Sequence, residues 1–271
     1  MIQLSIIIPI KNQEKRLNSL LTMLSRCDLK YCEIIIVDNS DVAIDIDNLN
    51  VSNLDIQYYH LANSNISKNL NTGIKHSNGQ FIARVDSHVI MHEDYFSNAI
   101  KILQQQPEID FVGGYTAIVN QNLEKNIASR LYSSSLSFGR SRFKINEMTK
   151  LLTVNTNKMY LGVYRRSLFD NIKFNESIKR RQDGELNSKI DIERCLLTPK
   201  LRLKYILIHD SIQSLFHRAF NQGRSLSENR KGVQFSHILP IFFYLLYLAM
   251  VVLYLIPVSL LSVILYSAKA P

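Results

Sequence analysis

The stretch FIARVDSHVIMHEDYF, residues 81–96, sets a carboxylate, Asp86, and an imidazole, His88, two positions apart just after the apolar run Phe81-Ile82-Ala83. A carboxylate oxygen and a ring nitrogen at that spacing, where the chain leaves a strand, can share a divalent cation at the edge of a sheet. The same residues also suit an Asx turn followed by a surface histidine. The string alone leaves both readings open.

A pair of this kind needs a sheet to hold it, and the hydrophobic pattern predicts one. LSIIIPI (4–10) is a near-continuous β-branched run, as expected of a strand covered on both faces. Leu17, Leu20, Leu21 and Leu24 then recur along one face of a helix. EIIIVDNS (33–40) reads as a second buried strand with an acidic exit, and LDIQYYH (54–60) as a weaker third. Ile66, Leu70 and Ile74 mark a helix that ends at Asn78-Gly79, and QFIARVD (80–86) is the fourth strand. Phe96, Ala99, Ile100 and Leu103 give the next helix, closed before Pro107, and IDFVGGYTAIV (109–119) another strand. This alternation predicts an α/β fold with an open, mostly parallel sheet. Ligands of such sheets bind outside the carboxyl ends of the strands, where Asp38 and Asp86 both fall. No glycine fingerprint follows the first strand and no Walker string exists, which argues against dinucleotide and P-loop sites.

Composition narrows the classes further. Three cysteines in 271 residues, Cys27, Cys32 and Cys195, are too few and too irregular for a disulfide framework and fit a reducing compartment. The N-terminus has no basic stretch before its apolar run, so it reads as strand and helix, not as a signal peptide. Residues 237–267 contain no Asp, Glu, Lys or Arg, and Ile238 to Ile256 approaches the ~20 residues that cross a bilayer. Pro257 kinks or divides the run. Arg218, Arg224, Arg230 and Lys231 precede it and only Lys269 follows, which places residues 1–236 on the cytoplasmic side of a plasma or inner membrane. The net charge of +9 fits attraction to anionic lipid. A nucleic-acid partner is not expected, because there is no recognition helix or aromatic-basic repeat. The expected organisation is a cytoplasmic α/β domain over 1–210, an amphipathic basic segment over 211–236, and a hydrophobic membrane segment over 237–267.

LSIIIPIKNQEKRLNSLL, EIIIVDNS, NISKNLNTGIKHSNGQFIARVDSH and IKRRQDGELNSKI stand in the order found in family 2 glycosyltransferases with the GT-A fold. The likeness spans roughly residues 3–232 and is nearest to membrane-attached enzymes that build exopolysaccharides of the succinoglycan kind. The resemblance implies a metal-dependent inverting enzyme. It would move a sugar from a nucleotide-sugar donor, UDP-linked, to a lipid-linked oligosaccharide in capsule or exopolysaccharide assembly. Asp86 and His88 then stand where the family carries its metal string, with His209 as a candidate third ligand. One oxygen and one nitrogen suit Mn2+ somewhat better than Mg2+. By the same likeness Pro9 and Asn12 border the base, Asp38 binds base or ribose, and Asn71 is the asparagine of an N-x-G helix. The alternative for Asp38 is a turn-former before Asn39-Ser40. Leu70 stands where the family often has an arginine, leaving Lys68 and Arg84 as phosphate contacts or solvated charges.

General-base catalysis needs a carboxylate beside the acceptor hydroxyl. The resemblance assigns that role to Asp183 in RRQDGELN, with Glu185 in reserve. Gln182 replaces the first member of the family's acidic pair, and Asp183 is otherwise a helix N-cap before Gly184. The chain has no tryptophan, so the Q-x-x-R-W string is absent. The alternative to an enzyme is a non-catalytic member that binds nucleotide sugar or scaffolds an assembly complex.

Overall fold

The computed structural model describes residues 2–46, 49, 53–119, 144–145, 152–159, 161–178, 182–206 and 220. Its elements run β1 (Leu4–Ile10), α1 (Glu14–Leu24), β2 (Cys32–Asp38), β3 (Ile56–His60), α2 (Ile66–His76), β4 (Phe81–Arg84), β5 (Val89–Met91) and α3 (Tyr95–Gln105). Then come β6 (Phe111–Val119), β7 (Lys144–Ile145), β8 (Val154–Asn155), β9 (Gly162–Arg165), α4 (Gln182–Asn187) and β10 (Cys195–Ile206). The three helices and five strands that the pattern predicts between residues 4 and 119 are present as α1 to α3 and β1, β2, β3, β4 and β6.

One sheet carries the order β3-β2-β1-β4-β9-β6-β10-β5, with β7 beside β6 and β8 beside β10. The β3-β2-β1-β4 half is parallel throughout. The other half is mixed, since β9 runs antiparallel to both β4 and β6, and β5 and β8 run antiparallel to β10. The sheet is therefore less parallel than the sequence pattern predicts. The four residues of β9 have no helical stripe beside them, so nothing local signals that they enter the sheet between β4 and β6.

Period-two alternation divides the core between the two faces of the sheet. Ile6, Ile8, Ile34, Ile36, Phe81 and Ala83 pack against α1 and α3 through Leu17, Leu21, Leu24, Phe96 and Leu103. Ile7 and Ile82 face the other way and pack with Leu70 of α2 and Leu186 of α4. A Cβ built on Gly73 of α2 would sit 2.4 Å from Ile7 Cγ2, so only glycine lets α2 lie this close to β1. The continuing alternation turns Arg84 toward the α2 and α4 side. At the amino end of the sheet the buried Glu33 accepts from Ser5 Oγ (2.6 Å), Gln57 Nε2 (2.8 Å) and Asn78 N (2.5 Å). That carboxylate ties three strands to the turn entering β4.

The chain divides into two compact units, residues 1–219 and 220–271. Among the described residues no helix is long and apolar enough to cross a membrane. The predicted amphipathic segment (Phe220 apart), the hydrophobic segment 237–267 and His209 lie outside the described residues.

Candidate active site

The carboxyl ends of β1, β2 and β3 build one half of the site. Asp38 closes β2, is fully buried, and has its acceptor positions taken. Oδ1 accepts from Ser40 N at 2.8 Å and from Ser40 Oγ, while Oδ2 accepts from Ile44 N at 3.1 Å and Tyr58 Oη at 2.7 Å. Burial alone would raise its pKa, but the four hydrogen bonds to the ionised form outweigh it and hold the carboxyl below the usual range. Tyr58 is pushed up to about 12, first by burial and then by its bond to Asp38. Asp38 thus organises the 39–44 loop at the carboxyl end of β2. Asn12 adopts φ 52° and exchanges two hydrogen bonds with Asp41, while its own N–H donates to Ser40 Oγ at 2.7 Å. This laces the loop after β1 to the loop after β2. Pro9 lies inside β1, opposite Val37, rather than in the loop beyond it.

Asn71 also bonds within the protein. Its carboxamide donates to Phe174 O (2.9 Å) and Glu176 Oε1 (2.8 Å) and accepts from Phe174 N (3.0 Å). With both ends of the amide engaged, Asn71 clasps the segment that leads toward α4. Lys68 is exposed on α2. The asparagine that reaches the edge of the site is Asn69, fully buried, which donates to Val37 O (3.2 Å) and Asn39 Oδ1 (3.0 Å). Asn69 has a legible signal: it is a polar residue beside the Leu70–Gly73 stripe that faces the sheet.

The other half gathers around β4. Arg84, the last residue of the strand, has a side chain only 6% exposed, and its fork meets Asp86. Nε and Nη2 donate to Asp86 Oδ1 at 3.2 and 3.0 Å. Nη1 forms an ion pair with Asp183 Oδ1, from the first turn of α4. One buried cation therefore holds the two carboxylates that the sequence places 97 positions apart. Asp183 sits inside the first turn, since α4 begins at Gln182, so it is not the N-cap that the sequence also allowed. Gln182 is buried. Glu185 pairs at 2.8 Å with Lys189, two residues past the end of α4.

Asp86 Oδ2 accepts a longer bond from Arg84 Nη2 at 3.4 Å and also lies 4.0 Å from His88 Nε2, whose imidazole is edge-on to Tyr205 at 4.5 Å. At ~2.1 Å per bond the 4.0 Å separation would open the angle at an ion to about 145°, wider than the ~90° between adjacent octahedral ligands, so the pair can hold a divalent cation only once His88 turns closer. Among the described residues no third His, Cys, Asp or Glu completes the group. Three charges then stand within one turn of chain and one helix. Asp86 and Asp183 carry two negative charges against the single positive charge of Arg84, a balance that favours a cation.

The family model for glycosyl transferase family 2 matches residues 5–173, which includes β1 through β9 and the Asp86–His88 turn. The chain belongs to glycosyl transferase family 2. Among curated relatives it is 27% identical over 202 residues to the dolichyl N-acetyl-alpha-D-glucosaminyl phosphate 3-beta-D-2,3-diacetamido-2,3-dideoxy-beta-D-glucuronosyltransferase of Methanococcus voltae, a match over 68% of this chain and 60% of that one. It is 24% identical to glycosyltransferase GlyA of Streptococcus pneumoniae serotype 4, over 69% of this chain and 28% of the relative. The family fold recurs in S. aureus TarS 1–349 in complex with UDP-GlcNAc, at TM-score 0.55 and 17% identity over 83% of this chain and 66% of that one. It recurs in GalNAc-T7 with UDP, GalNAc and Mn2+, at TM-score 0.56 and 13% identity over 76% and 44%. At these identities the likeness is one of fold.

Proposed function

We propose that this chain is an inverting glycosyltransferase that moves a sugar from a UDP-linked donor to a hydroxyl of a lipid-linked saccharide at a membrane surface, in capsule or exopolysaccharide assembly. The observation that carries the reading is the pairing of Asp86 and Asp183 across Arg84 at the carboxyl edge of the sheet. Transfer needs two separate electrostatic tasks close together, a counter-charge for the leaving diphosphate and a proton acceptor for the incoming hydroxyl. Asp86 and His88 would hold the cation, Mn2+ or Mg2+, which when bound supplies Lewis-acid charge against the diphosphate. Asp183 takes the proton of the acceptor hydroxyl as that oxygen bonds to the anomeric carbon and the bond to the diphosphate breaks. The laced loops at Asn12–Asp41 and 38–44 form the wall on the nucleoside side.

The donor class draws support from the UDP-GlcNAc bound to TarS and the UDP bound to GalNAc-T7. The lipid-linked acceptor draws support from the name of the Methanococcus relative, which specifies a dolichyl phosphate-linked sugar. Membrane attachment rests on the uncharged stretch 237–267 and the basic residues before it.

A screen of nucleotide sugars tests this directly, read as thermal stabilisation of the detergent-solubilised chain with Mn2+ and with chelator. At least one UDP-sugar raises the melting temperature in Mn2+ and loses that effect in chelator. Stabilisation by no nucleotide sugar would contradict the reading. Firm binding with no turnover on any lipid-linked acceptor would favour a scaffold, with Gln182 in place of a carboxylate as its mark.

A further inference from the structure

Arg84 is a costly residue to place where it is. It ends a central strand, with Ile7 of β1 and Gly162 of β9 as its Cα neighbours, and its side chain is almost fully buried. A buried guanidinium survives only with its charge met by partners. Nε and Nη2 hydrogen-bond Asp86, while Nη1 meets Asp183 as an ion pair without hydrogen-bond geometry. The fork is thus spent on protein groups, which disfavours the phosphate contact that its place in the sequence suggested.

We infer that Arg84 is a positioning residue that fixes Asp183 relative to Asp86, and so sets the distance between the base and the cation site; this rests on Asp183 being the base. The geometry explains why arginine stands here. Asp183 belongs to a helix of six residues, Gln182–Asn187, that packs on the sheet through Leu186 while Asp183 itself lies on its first turn. Asp86 sits in the turn directly after β4. The guanidinium hydrogen-bonds Asp86 through two nitrogens and offers the third to Asp183 as an ion pair, a span that a lysine ammonium, a single point, does not cover. The neighbours reinforce the arrangement. Asn187 of α4 accepts from Tyr164 Oη of β9 at 3.2 Å and donates to Met159 O, so the far end of α4 is tied to the same part of the sheet. Arg84 ties the near end. Moving a reacting group by about 1 Å costs on the order of 10²-fold in rate, so the loss on breaking this tie is kinetic.

The test is a double-mutant cycle on the full-length chain, with turnover measured alongside the affinity for UDP in Mn2+. Arg84→Lys keeps the charge and loses the fork, and Asp183→Asn removes the base. Arg84→Lys should lower kcat by about 10²-fold while UDP affinity stays within about threefold. In the Asp183→Asn background the same change should cost far less, only what the loss of its bonds to Asp86 takes, because the base it positions is gone. A loss of the same factor in both backgrounds, or a weakening of UDP binding that matches the loss in turnover, would make Arg84 a donor ligand and overturn the inference. Unchanged turnover in Arg84→Lys would overturn it too. Full turnover in Asp183→Asn would instead sink the base assignment itself, a result separable from failure of Arg84 alone. Thermal melts guard the comparison. If Arg84→Lys does not fold, Arg84→Gln takes its place, and collapse of both would assign Arg84 to stability and overturn the proposal.

Discussion

At the scale of single residues, side chains that look like ligands in the sequence also carry hydrogen bonds within the protein. Asp38 is the clearest case. Its four hydrogen bonds hold its pKa down, so the stability it contributes is present above the unfolded carboxyl value of ~3.9 and is lost as pH falls through its lower folded value. Tyr58 is the mirror image. Its pKa is raised to about 12, so its contribution is present below ~10 and is lost as pH climbs toward 12. Asp38→Asn should therefore cost about 1–3 kcal/mol at neutral pH, since an amide nitrogen now faces N–H or O–H donors. The gap from wild type should narrow as pH is lowered, when wild type loses the same advantage. Urea unfolding of both chains from neutral to acid pH measures it, and a gap independent of pH would contradict the account. The turn chemistry of Asp38-Asn39-Ser40 was legible in the sequence. Saturation by Tyr58 was not, because it depends on β2 and β3 lying side by side. Arg84 shows the same limit: its link to Asp86 is local, but its link to Asp183 exists only once α4 has packed on the sheet.

At the scale of elements, the long runs were readable because burial on both faces leaves little choice of residue. Leu17, Leu20, Leu21 and Leu24 are all buried on α1, and Phe96, Ala99, Ile100 and Leu103 on α3, as their spacing predicts. What the pattern could not supply is how those elements end and how closely they pack. The helix α3 stops where Arg165 of β9 donates to Leu103 O, to Gln106 O at 3.0 Å and to Ile109 O at 2.7 Å. A cation there meets carbonyls that have no partner within the helix and the negative end of its dipole. Arg165→Met should destabilise the fold by about 2–3 kcal/mol, the scale of hydrogen bonds to a charged group, with donor affinity per folded molecule unchanged. A chemical melt checks it, and a cost under about 0.5 kcal/mol, the scale of a surface change, would contradict the capping role. Gly73→Ala sets two effects against each other. Alanine gains up to ~1 kcal/mol in helix propensity, but its Cβ would press into Ile7, and overpacking of that kind costs about 1–3 kcal/mol. The clash should win, giving a net loss in the same melt; a net gain would mean that α2 can shift away from β1.

At the scale of the whole molecule, a site at the carboxyl edge of the sheet is joined in sequence to a basic stretch and an uncharged apolar run. If residues 237–267 anchor the chain, it should stay in the membrane pellet through carbonate and high salt, and a chain ending at Ser236 should lose that resistance. Release of the full-length protein by carbonate alone would contradict the anchor. The central claim is catalytic, and Asp183 carries it. Asp183→Asn keeps the size of the side chain, and Arg84 keeps a carboxylate partner in Asp86, so the fold and the donor site should persist. The most direct measurement is turnover with acceptor, together with donor affinity, for Asp183→Asn beside Glu185→Gln. General-base catalysis is worth ~10²–10⁴-fold, so turnover should fall by about that factor in Asp183→Asn, with donor affinity nearly unchanged and Glu185→Gln close to wild type. Wild-type turnover in Asp183→Asn, or an equal loss in Glu185→Gln, would contradict the account.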